Sequence, residues 1–165
     1  MALLHMVAQL NLPDWYIAAG FVRNMVWDDL HGYPPTALND VDVIYFDAQQ
    51  STTDSELEGQ LSTFAPHMHW QVRNQATMHT RNQDPPYLNS LDAMRYWPEL
   101  ETAVGVKLTP EGDLELAAPF GIQSLLAGNI THNPRRQRDV FDQRVASKGW
   151  LSHWPRLRLA TSDSL

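Results

Sequence analysis

Asp40-Val41-Asp42 is the segment of this chain whose residue types and spacing most directly suggest chemistry. It sits in the run Leu38-Asn39-Asp40-Val41-Asp42-Val43-Ile44-Tyr45-Phe46, where β-branched and aromatic residues predict a buried strand over 38–46. Strand side chains alternate with period two, so acids one residue apart point to the same face. Two ionised carboxylates facing the same way are costly unless a cation lies between them. Ligation by oxygen alone suits magnesium or manganese, which makes Asp40 and Asp42 candidate metal ligands.

Other polar groups group around this pair in the chain order. Gly20 closes the apolar stretch Trp15-Tyr16-Ile17-Ala18 and opens a helical pattern. Arg23, about one turn into that helix, either reaches a bound phosphate or pairs with an acid such as Asp28. Asn39 either orients a ligand or serves the turn before the strand. Arg73, Asn74 and Gln75 form a polar triplet where a third strand ends, a position that often supplies binding groups. Phe21, Tyr33 and Tyr87 are the loop aromatics available to stack on a base. His67, His69 and His79 lack the thiolates or the fixed spacing of a zinc site and are assigned to surface or core.

The elements that must position these residues follow from periodicity. Leu3, Leu4, Val7 and Leu10 predict an opening helix, and residues 15–18 a short strand. From Phe21 to Leu30 the apolar spacing is helical, with Gly32 as C-cap and Pro34-Pro35 forbidding continuation. After the Asp-x-Asp strand come a helix over 51–64, whose early acids suit its dipole, and a strand over 69–73. A polar region reaches Pro85-Pro86 and precedes a helix over 90–97. Strands at 104–108 and 114–117 flank Pro110-Glu111-Gly112-Asp113 and predict a β-hairpin. Short and long helices near 122–126 and 135–148 complete the pattern. The expectation is an α+β fold, a small mixed sheet flanked by helices. It forms one domain over 1–165, with a core at about 1–80 and a C-terminal hairpin and basic helix at about 100–158.

Composition bounds the function. The 165 residues are 43% hydrophobic and 19% charged, which suits a globular domain with a real core. There is no cysteine, so disulfides, thiolate zinc sites and a cysteine nucleophile are excluded. The N-terminus lacks a signal-peptide pattern and no apolar run reaches membrane-spanning length, so a cytoplasmic protein with no membrane partner is expected. Net charge is −7, which argues against nucleic-acid binding by the whole surface. Seven of the 12 Lys and Arg residues nevertheless lie between Arg135 and Arg158, and only Asp139, Asp142 and Asp163 of the 19 acids lie beyond Ala117. This stretch is either a solvated helix face or a docking surface for phosphate.

The segments 16–24 (YIAAGFVRN) and 38–47 (LNDVDVIYFD) resemble a bacterial nucleotidyltransferase-like family within the DNA polymerase β-type nucleotidyltransferase superfamily. Segments 72–79 (VRNQATMH), 118–121 (APFG) and 133–136 (NPRR) extend the resemblance along nearly the whole chain. The resemblance implies that Gly20 marks a turn at a helix N-terminus that holds nucleotide phosphates, and Phe21, Arg23, Asn39, Arg73 and Asn74 are the further candidate nucleotide-binding residues. It implies that Asp40 and Asp42 are catalytic and hold two Mg2+ or Mn2+ ions. The reaction would transfer a nucleoside monophosphate from a nucleoside triphosphate to a hydroxyl of a small molecule, RNA or protein. Two departures from the superfamily pattern stand out. Gly20-Phe21 replaces Gly-Gly or Gly-Ser, and the strand position of a third carboxylate falls at about Gln71, with Glu115 as a substitute from the hairpin. These departures support an alternative, a nucleotide-binding or sensor module without turnover. The Arg135–Arg158 stretch supports a third, an interaction domain.

Overall fold

The computed structural model describes residues 1–161, so Asp163, counted above among the C-terminal acids, lies outside them. Helix α1 (Ala2–Ala8) buries Leu4 and Val7, half of the predicted stripe. Strand β1 (Tyr16–Ala18) is buried at all three positions, and helix α2 (Gly20–His31) ends on Gly32 in the left-handed conformation expected of a glycine C-cap. Strand β2 (Val41–Tyr45) follows. Helix α3 (Asp54–Phe64) starts on a reciprocal Thr53–Glu56 capping box, which fixes its start three residues later than apolar spacing predicts.

Strand β3 (Trp70–Asn74) leads directly into helix α4 (Gln75–Asn82). Helix α4 lies in the stretch expected to be a polar region, since its eight residues, QATMHTRN, carry no apolar stripe. It forms because the Asn74 side chain accepts the Ala76 N–H and caps its first turn. Helix α5 (Ser90–Met94) precedes the predicted hairpin, strands β4 (Gly105–Leu108) and β5 (Leu114–Ala117). Helix α6 (Gln123–Leu126), strand β6 (Asn129–Thr131), helix α7 (Arg138–Lys148), helix α8 (Trp150–His153) and strand β7 (Arg158–Ala160) follow. Strands β6 and β7 pair in parallel as a separate two-stranded sheet, a tertiary pairing that three-residue segments do not advertise.

The main sheet has the order β3-β2-β1-β4-β5. Among the described residues β2 and β3 run parallel, joined through α3, and the other pairs of this sheet are antiparallel, so the sheet is mixed as expected. Alternation sorts β2 between the two faces. Val41, Val43 and Tyr45 pack with Leu57 and Leu61 of α3 and Leu4 and Val7 of α1. Each such buried aliphatic side chain contributes about 1.5–3 kcal/mol. Ile44 points the other way, against Tyr16, Ala18, Met94 and Ala117, and Asp42 shares its face. A third cluster joins Val22 and Trp27 of α2 to Phe141, Trp150, Trp154 and Leu157, which ties the C-terminal helices to the helix that follows β1. No helix among the described residues is long and apolar enough to cross a membrane.

Candidate active site

Asp42 stands in β2 with Ala18 opposite it on β1 and Gln71 opposite it on β3. Burial first, and then the charge of Asp40, hold the Asp42 carboxyl above the usual carboxylate range. Arg23, Lys148 and Arg144 pull in the opposite direction. The strand begins at Val41, so Asp40 lies one residue before it and not inside a strand over 38–46. That earlier start is prevented by the Pro34-Pro35 segment and by Asp28, which takes the Thr36 N–H at 2.7 Å and its hydroxyl at 2.6 Å. Asp40 still lines the same cavity as Asp42, and its carboxylate is bonded to His69 Nδ1.

The β1–α2 turn forms the opposite wall. Ala19 has φ 55° and ψ −122°, a conformation that favours glycine. Its N–H is fixed on Val104 O at 2.9 Å and its carbonyl receives the Val22 and Arg23 N–H groups. The start of α2 carries no side-chain cap and no acid in its first turn, so the positive end of the helix dipole faces outward uncompensated. At Gly20 a Cβ would come within 3.4 Å of Arg23 Nη2 and Asn24 Nδ2, so the missing side chain lets both polar groups crowd the turn.

Arg23 does not pair with Asp28. Its Nη1 donates to Thr102 Oγ1 at 2.8 Å, while Nε and Nη2 donate to Asn24 Oδ1 at 3.1 and 3.0 Å. Its guanidinium lies over the rings of Trp27 and Trp150, 4.9 and 4.7 Å from their centroids. Burial pulls its pKa down to about 10, which leaves it charged at neutral pH. Thr102 passes the chain on, donating to Glu99 Oε1 at 2.7 Å. Glu99, 1% exposed, receives Arg144 on both oxygens, from Nε at 2.7 Å and Nη2 at 3.0 Å. The row Arg23–Thr102–Glu99–Arg144, buried except at the half-buried Arg144, thereby places two arginines from distant parts of the chain beside Asp42. Lys148, one helical turn beyond Arg144 on α7, lines the same cavity, which has a volume of about 400 Å³.

The structure gathers most, but not all, of the residues singled out from sequence. Gly20, Arg23, Asn39, Asp40, Asp42 and Gln71 share this cavity. Phe21 packs between two core clusters and borders a neighbouring groove. Arg73 donates to Glu58 at 2.7 Å and faces a second cavity. The Asn74 side chain is spent on structure, accepting from Ala76 N and Asp47 N and donating to Asp47 O at 2.8 Å. Tyr87 is buried and bonded to Asp84, so it is a wall and not an exposed stacking ring. Glu115 cannot serve as a third carboxylate. It lies on β5, three strand spacings or roughly 14 Å from β2, and it accepts the Tyr16 hydroxyl and pairs with Lys107.

Asn24, Thr102, Glu99, Arg144 and Lys148 were missed. The one available signal was the basic bias of residues 135–158, and the structure divides that stretch among separate tasks. Arg136 pairs with Asp84, Arg138 with Asp142 at 3.0 Å, and Arg158 donates to Asn129 at 2.8 Å, while Arg144 and Lys148 turn into the cavity.

Among the described residues no group of three or more His, Asp or Glu side chains is arranged to hold a metal ion. The donors at the cavity are two carboxylates, Asp40 and Asp42, beside the neutral amide of Gln71. Mutually repelling acids and oxygen-only donors suit a hard divalent cation with part of its coordination left to ligand and water.

The chain matches a family described as nucleotidyltransferase over residues 5–159. No curated protein matches it. Among solved structures it is similar to one determined by NMR and described as revealing a CCA-adding enzyme head domain. That match has 32% identity and a TM-score of 0.85, and it covers 98% of this chain and 89% of the other. It is also similar to the Thermotoga maritima CCA-adding enzyme complexed with tRNA, at 16% identity and TM-score 0.62, covering 99% of this chain and 38% of that one. A CCA-adding enzyme complexed with CTP gives 14% identity and TM-score 0.59, covering 96% and 38%. These last two show the shared fold alone, and this chain spans about two fifths of their length.

Proposed function

The chain belongs to the nucleotidyltransferase family, and from that premise we propose that it moves a nucleoside monophosphate from a nucleoside triphosphate to a hydroxyl acceptor. The observation that carries this reading is convergence. The uncapped N-terminus of α2, the cations Arg23, Arg144 and Lys148, and the acids Asp40 and Asp42 all meet in one cavity of about 400 Å³.

Each group has a physical role in that reaction. The first N–H groups of α2 and the Lys148 ammonium take phosphate oxygens of the triphosphate. Arg144, locked by Glu99 through Nε and Nη2, offers Nη1 to the same anion without paying to order its side chain. Asp40 and Asp42 would hold Mg2+ or Mn2+, which when bound neutralises phosphate charge as a Lewis acid. Gln71 orients a polar group beside Asp42 but cannot remove a proton from the acceptor. The CCA-adding enzymes complexed with CTP and with ATP support a nucleoside triphosphate as donor.

The test is a thermal-shift panel of the four nucleoside triphosphates, with and without manganese, paired with pyrophosphate release. Wild type is stabilised by a triphosphate with metal, and Asp40→Asn plus Asp42→Asn abolishes the shift. Wild type that neither shifts nor releases pyrophosphate with any acceptor sinks the reading. The amide of Gln71 beside Asp42 favours a second reading, nucleotide binding without turnover. Its signature is the metal-dependent shift without pyrophosphate release, unrestored by Gln71→Glu.

A further inference from the structure

Asp42 and Gln71 border two cavities. The first is the basic one just described. The second, about 310 Å³, also shares Ala19 and Arg144 with the first. Beyond the shared residues its wall is mainly apolar, with Ile44, Met78, Tyr87, Trp97 and Pro98 beside polar side chains such as Asn82 and Gln75. Nucleotidyl transfer requires donor and acceptor to meet at one phosphorus, and two chambers sharing Asp42 supply that meeting point.

Charge distinguishes the chambers. Neither cation at the second wall is left over for an acceptor phosphate: Arg73 is matched by Glu58 at 2.7 Å, Arg144 is matched by Glu99 at 2.7 Å and gives its remaining Nη1 to the donor triphosphate in the reading above, and Asp42 adds a negative charge. An RNA end brings a phosphate with every nucleotide, and its affinity depends on uncommitted Lys and Arg. Among the described residues lining this cavity there is none. The volume stands at the lower end of the range for small-molecule pockets, about 300–1,000 Å³. We propose that the second cavity seats the acceptor and that the acceptor is a small, phosphate-free hydroxyl compound with an apolar body. This rests on the nucleotidyl-transfer reading above. The acceptor oxygen forms a bond to the α-phosphorus as the bond from that phosphorus to the bridging oxygen breaks. Pyrophosphate leaves with the electron pair, and the hydroxyl proton passes to water.

The six tryptophans provide a test that does not need turnover. Trp97 lines the second cavity, whereas Trp150 and Trp154 line the first. The full chain labelled with 5-fluorotryptophan is titrated with ATP and CTP plus Mg2+, with 4-hydroxyphenethyl alcohol, and with the RNA trinucleotide CpCpA, following the fluorine spectrum. The expected result is a saturable Trp97 shift with the alcohol and none with the trinucleotide. In Met78→Phe, which fills the cavity, the alcohol-induced Trp97 shift is lost while any nucleotide-induced shift at Trp150 and Trp154 persists and shows the variant to be folded. A Trp97 shift with CpCpA, or none with the alcohol, overturns the proposal. Silence of Trp150 and Trp154 toward both nucleotides, with the Trp97 response intact, instead counts against the donor half of the nucleotidyl-transfer reading and leaves the small-alcohol cavity standing.

Discussion

Gln71 stands directly beside Asp42, the two residues paired across the parallel β2–β3 junction of the main sheet. Parallel register puts both side chains on one face, so the amide occupies the place from which a carboxylate would share whatever Asp42 binds.

Replacing Gln71 by Glu tests this relationship. Without metal, a third acid beside Asp42 and Asp40 adds like-charge repulsion and lowers stability by about 1–2 kcal/mol. With Mn2+ the same carboxylate becomes a ligand, and the metal concentration at half-saturation falls by about tenfold, worth about 1.4 kcal/mol. Thermal melts across a manganese series check both signs. A half-saturating manganese concentration that does not fall in the variant rules out Gln71 as a neighbour of the cation.

Glu99 holds Arg144 and Thr102 in a buried row. Glu99→Ala leaves Arg144 without its counter-ion and lowers unfolding stability by about 3–5 kcal/mol. Pairing Glu99→Leu with Arg144→Met removes both charges and recovers only part of that loss, because buried Arg23 and Thr102 still lose the carboxylate. Triphosphate binding is not recovered, because the Arg144 guanidinium is gone. Urea midpoints and nucleotide titrations on the same samples separate the two effects. Full recovery of binding in the double variant would show Arg144 to be structural only.

Much of this arrangement was legible in the sequence because it is written locally. Val41, Val43 and Tyr45 alternate with Asp42 and Ile44, which predicts a strand and its buried face. Gly32 predicts where α2 stops. Strand order puts Gln71 on the strand after the Asp-x-Asp helix, and the register pairs it with Asp42. What was not legible depends on contacts between distant segments. Arg144 lies 102 positions after Asp42, and nothing in its neighbours says that Glu99 turns it inward. Strands β6 and β7 are three residues each and gain their stability from pairing with one another. Asn74 reads as a binding group at a strand end until α4, which has no apolar stripe, is seen to need it as a cap.

Asp84 gives the fold a pH dependence away from the cavity. The Arg136 guanidinium, together with the Tyr87 hydroxyl, holds its carboxyl below the usual carboxylate range despite partial burial. A carboxylate whose pKa is depressed on folding stabilises fully above its unfolded value, about 3.9, and loses that contribution as pH falls through the folded value. Asp84→Asn therefore destabilises the protein at pH 7, and the gap from wild type narrows as pH drops below about 4. Urea unfolding at pH 7, 5 and 3.5 measures it. A gap that is constant across this series would show that the pair carries no net linkage.

Ala19 offers the clearest test of how the β1–α2 turn is built. Its φ of 55° with ψ of −122° is a glycine conformation occupied by an alanine, held by its N–H on Val104 O and by two helical N–H groups on its carbonyl. Such strain costs about 1–3 kcal/mol. Ala19→Gly removes it, at the expense of about 0.5–1 kcal/mol of extra unfolded-state entropy, so the net expectation is a gain of about 1 kcal/mol. For a chain of this size that is a rise of about 2–5 °C in melting temperature. Ala19→Val moves in the opposite direction, losing about 2 kcal/mol or more, because a β-branched residue is least tolerant of positive φ. If Ala19→Gly lowers the melting temperature, the turn is not strained and the alanine methyl is contributing packing instead.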